Sequence, residues 1–207
     1  MIEVNIDVEG IKMTYNVPDN WDEVTVEKFT NLYKNKNPNN NELLGAVNII
    51  SSLSGIDSAV ILQMDIDDFK ELATRVTFIT SEVPRTNVDY IEIGEDKYYL
   101  YSDFNKLTTG EVITLETLME SADYDIHKIM PDLLCLFLRK KDEEGRFEKF
   151  TTDMLKRKEL FLNLKITEIY HIFSFFLPGG NTSANNMKDS TKQEDPLMTL
   201  KEDLQKN

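Results

Sequence analysis

Cysteine, histidine, glycine and positive charge are all scarce in this chain of 207 residues, and each shortage removes a class of function. A single cysteine, Cys135, cannot close an internal disulfide, so nothing suggests a disulfide-stapled secreted scaffold. Two histidines, His127 and His171, stand far apart in the chain beside apolar helical positions. A histidine in that setting packs more often than it catalyses or ligates. With no H-E-x-x-H and no Cys/His cluster, zinc is not expected. The eight glycines form neither G-x-x-x-x-G-K-[ST] nor G-x-G-x-x-G, and hence no visible phosphate cradle. Basic residues number 23 against 37 acidic, a formal charge of −14, which disfavours nonspecific binding to a phosphate backbone. The longest apolar runs, 133–138 and 169–177, fall far short of the roughly 20 residues that span a bilayer. Nor does a basic segment followed by an apolar run open the chain, so no signal peptide is expected.

What the chain does have is enough apolar and aromatic content, 41% and 10%, to bury a core. Ile2, Val4, Ile6 and Val8 alternate with polar residues, and residues 11–15 alternate again after Glu9-Gly10, which predicts a β-hairpin. Thr25 then stands as a helix N-cap before Val26, Phe29, Leu32 and Tyr33 on one face. The Asn-rich stretch 35–41 reads as a linker. A helix is expected over 42–54 with Gly55 at its C-cap, then a helical turn over 59–63 and a helix beginning near Asp65.

The second half repeats this order. Residues 88–93 and 97–101 form a hairpin around Gly94, with Tyr99 and Tyr101 on one face and Tyr98 on the other. Thr108 and Glu111 fit a capping box. Helices are expected over 126–140, with Pro131 imposing a kink or a late start, then after Thr151 or Thr152, then over 167–177. The fold class is therefore α+β, predominantly helical, with two β-hairpins each followed by packed helices. The shared order suggests a diverged tandem duplication, with 1–80 as one unit, 81–180 as the second, and both packed as one globular body. Residues 181–207 read as a flexible polar tail, in which 197–205 could form a short amphipathic helix against a partner.

Several features invite a chemical reading and lose it. Asp65-Ile-Asp67-Asp68 opens like a calcium loop, but Lys70 stands where glycine is needed and Val76 where glutamate is. Cys135 lies in an apolar helix, where thiols are usually inert. No cofactor is expected and no active site is visible. Residues 135–165 carry 9 basic and 6 acidic side chains, a net +3, with nodes at Arg139-Lys140-Lys141 and 156–158. That island is either a solvated face or one pole of a dipole that favours self-association.

Two stretches resemble the tail assembly chaperones of bacteriophages, small acidic morphogenesis proteins. One is the hairpin followed by Val17-Pro-Asp-Asn-Trp-Asp-Glu-Val-Thr25-Val-Glu-Lys-Phe29. The other is 43–79, with Leu53-Ser-Gly55-Ile56-Asp57, Met64 and Asp68. A third and less specific likeness is Glu159-Leu-Phe161 with Ile172-Phe-Ser-Phe-Phe176. The chain departs from that family in its second hairpin and long second half. The resemblance implies a non-catalytic protein that binds phage structural proteins, tape-measure or tail-tube subunits among them, in the host cytoplasm or the virion. No nucleic-acid or membrane partner is implied. The partner-binding residues it suggests are Phe173 and Phe176, with Leu200 and Leu204 as a second contact and Arg139, Lys140 and Lys141 as a charged node. The alternatives are a permanent connector, tail or baseplate subunit, and an enzyme built around His127 or His171.

Overall fold

The computed structural model describes residues 1–8, 11–35, 41–86 and 88–173. Two seven-residue strands, β1 (Ile2–Val8) and β2 (Ile11–Val17), pair antiparallel with Ile2 opposite Val17. Their alternation sends Ile6 and Val17 into the core and leaves Glu3, Asn5, Thr14 and Asn16 exposed. A 3-10 turn over Trp21–Glu23 leads to α1 (Val26–Lys34), whose first turn the Thr25 hydroxyl caps by accepting from the Lys28 amide. Helix α2 (Glu42–Ser54) ends where the sequence predicts, at Gly55 with φ 76°, a left-handed conformation that a side chain resists. The short α3 (Ser58–Ile61) and α4 (Ile66–Arg75) follow, then a 3-10 turn over Val76–Thr80.

Strands β3 (Tyr90–Ile93) and β4 (Asp96–Leu100) form the second hairpin. After a 3-10 turn comes α5 (Thr109–Ser121), with both arms of the Thr108–Glu111 capping box in place. Pro131 sits in the first turn of α6 (Met130–Phe137), where its missing N–H costs nothing, so the late start is the one realised. The predicted continuation of this helix to residue 140 is wrong. The chain leaves the helix and forms β5 (Leu138–Arg139), which pairs with β4 and makes a three-stranded sheet in the order β3-β4-β5. Helix α7 (Lys158–Leu162) is entered through a 3-10 turn over Thr152–Arg157 and stops before Leu164. The last described helix is α8 (Ile166–Phe173). The fold is thus α+β and predominantly helical, with two small antiparallel sheets among the described residues. The order of hairpin, 3-10 turn and threonine-capped helix occurs in both halves, which part company at β5.

One hydrophobic cluster runs through both halves. Phe29, 1% exposed, is its junction: its ring meets Trp21 and Tyr33 from the first half and His127 and Tyr170 from the second, at centroid distances of 5.1–5.9 Å. The backbone adds a seam. The Val26 amide donates to the Leu164 carbonyl and the Ile166 amide to Val24, each at 2.9 Å, while the Thr167 hydroxyl donates to the Asp22 carboxylate. Among the described residues, no helix is long and apolar enough to cross a membrane.

Candidate functional site

The residues that sequence and resemblance suggest for partner binding do not form one surface. Phe173 is only 1% exposed and packs in the shared core, so it presents no face to a partner. With Ile169 and Ile172 it makes α8 a core helix. Phe176, Leu200 and Leu204 lie outside the described residues, as does the tail over 181–207.

Arg139 is also buried, and its place in a charged surface node is a second correction. Its guanidinium bonds the Glu111 carboxylate and the Leu136 carbonyl and lies 3.9 Å from the centre of the Tyr101 ring. Burial alone would push the Glu111 carboxyl up, but Thr108 and Arg139 hold it below the ordinary carboxylate range. Lys140 pairs with Asp96 at 2.5 Å. Lys141 stays exposed, its ammonium 4.4 Å from the Tyr99 ring and 4.6 Å from the Phe147 ring. The rest of the basic island is largely neutralised in place: Arg157 pairs with Glu148, Lys158 with Asp132, Lys156 with Asp153 and Arg146 with Asp142. The +3 net charge is therefore a weaker field than the sequence count suggests.

The candidate chemical groups are packed. The His127 ring stacks on Tyr33 at 4.1 Å, with Nδ1 3.0 Å from the Asp125 carboxylate, an arrangement that fixes the ring within the aromatic cluster. Burial holds the His171 imidazole below its usual range. The Cys135 thiol is buried and pushed up to about 12, chiefly by loss of water. Among the described residues, no group of three or more His, Cys, Asp or Glu side chains could hold a metal ion.

Two features missed by sequence reasoning stand out. The first is α5. Its only fully buried residue is Glu111, while Val112 is 39% exposed, Ile113 57%, and Leu115, Leu118 and Met119 are half-buried. Tyr124, just past the helix end, is 63% exposed. Leu115, Leu118 and Met119 thus pack against the core while Val112 and Ile113 stay in water, a pattern whose sequence signal was the even spread of Val, Ile, Leu and Met over 112–119. The second is an open polar cleft of about 520 Å³ between α1 and the α2–α3 corner. Lys28 and Asn31 line it from α1, and Ser51, Ser54, Asp57 and Ser58 from the corner. No spacing rule could have found it, because its walls come from separate helices.

Compared with protein-family models, with curated proteins and with solved structures, the chain matches none.

Proposed function

We propose that the chain is a non-catalytic bacteriophage assembly protein, a tail assembly chaperone that shields amphipathic helices of the tape-measure protein before tail-tube subunits replace it. The observation that carries this reading is the under-buried apolar surface of α5, with Ile113 57% exposed beside Val112. Apolar surface left in water on a helix fits a groove-and-helix contact with an amphipathic client. The net charge of −14 keeps a protein with such a surface soluble. The likeness of residues 1–80 to tail assembly chaperones supports the same reading.

Co-expression of the full chain with the tape-measure protein of the same phage tests it. The tape-measure protein is expected in the soluble fraction with the chain present and in the pellet without it. Replacing Val112 and Ile113 by aspartate is expected to return it to the pellet while circular dichroism shows the variant folded. A tape-measure protein whose solubility ignores the chain overturns the reading. Stoichiometric chain in purified particles replaces it with a permanent virion subunit.

A further inference from the structure

The cleft between α1 and the α2–α3 corner is lined by an amine that forms no ion pair among the described residues. It belongs to Lys28, which is half-buried and makes no side-chain hydrogen bond among those residues either. Its neighbours are otherwise occupied. Ser51 donates to the Ile56 carbonyl at 2.7 Å, Ser54 to the Ile50 carbonyl, and the Asp57 carboxylate caps α3 through the Ala59 amide. These bonds fix the corner beside an open polar space large enough for a small molecule. The facing charges are Glu27, from α1 itself, and Asp57, from the head of α3.

We propose that Lys28 is the nucleophilic amine of a site for small hydroxylated aldehydes or ketones. The neutral amine nitrogen attacks the carbonyl carbon and forms a carbinolamine. That hydroxyl takes a proton from solvent and leaves as water, which leaves a protonated imine on Nζ. No oxidant or reductant enters the step. Serine hydroxyls and the Asn31 amide supply partners for the hydroxyl groups of the bound compound, while a purely apolar aldehyde finds none. Burial holds the Lys28 ammonium below the usual lysine range, with Glu27 opposing. Removing that carboxylate therefore raises the fraction of free amine further. The site is independent of client binding by α5.

Glyceraldehyde trapped with cyanoborohydride, followed by peptide mapping of the intact folded chain, provides the test. Lys28 is expected to be labelled several-fold faster than exposed Lys70 and Lys149, and the preference is expected to vanish in urea. Butyraldehyde should show much less preference for Lys28. Glu27→Gln should speed labelling at Lys28 and shift its pH–rate midpoint downward, with the other lysines unchanged. Labelling of Lys28 at the rate of Lys70, a preference surviving in urea, equal preference for butyraldehyde, or slower labelling in Glu27→Gln each overturns the proposal.

Discussion

The Arg139 guanidinium on β5 bonds the Glu111 carboxylate in the first turn of α5, 28 residues earlier, and both side chains are almost fully buried. The same carboxylate accepts from the Thr108 amide, so one residue caps a helix and anchors a strand. Removing one partner leaves an uncompensated charge in the interior. Arg139→Leu is expected to cost about 3–5 kcal/mol in urea unfolding. The double variant Glu111→Leu/Arg139→Leu should recover much of that loss, because a well-packed apolar pair replaces a desolvated ionic one.

Burial of Cys135 predicts chemical silence. The thiol is 0% exposed and its pKa is pushed up to about 12. Ellman's reagent at neutral pH is expected to leave the native chain unmodified and to titrate one thiol per chain in denaturant. Rapid reaction under native conditions would place α6 elsewhere than in the core.

Stability should fall with acid in two stages. Burial holds the His171 imidazole below its ordinary range, so its contribution is intact above about pH 6.5 and declines as pH falls toward the depressed native value. The depressed Glu111 and Glu148 carboxyls contribute fully above about pH 4.3, and that contribution is lost as pH falls through their native values. Urea midpoints measured against pH check both stages. His171→Gln should flatten the upper stage and leave the lower one.

Gly55 holds φ at 76°, and a methyl group built on it would meet only open space. The cost of Gly55→Ala is therefore backbone strain alone, about 1–2 kcal/mol of stability. Thermal unfolding measures it, and no loss of stability would show that the corner relaxes.

Where a local rule decides, the sequence was readable. Thr25, Gly55 and the Thr108–Glu111 box each depend on a few adjacent residues, and each stands where the spacing puts it. The run 133–139 was not readable, because an apolar stretch carries no period to separate helix from strand. Pairing of Arg139 with Tyr99 on a distant strand made that choice. The charged island was partly readable, since Asp142, Glu148 and Asp153 lie within it and pair with Arg146, Arg157 and Lys156. Its neutralising partners for Arg139, Lys140 and Lys158 come from 26–44 residues away, where no sequence count looks. Phe173 was ambiguous between core and interface until the packing of α8 placed it inside. The outward face of α5 showed only as an even spread of apolar residues, a pattern equally compatible with full burial.

Client capture by α5 is the central claim, and photo-cross-linking from position 113 tests it most directly. The full chain carrying a photoreactive residue in place of Ile113, irradiated in infected cells, should cross-link to the tape-measure protein. The same residue in place of Asp142, in the exposed turn after β5, should not. Cross-links from position 113 that reach only other copies of the chain or host enzymes would contradict the account.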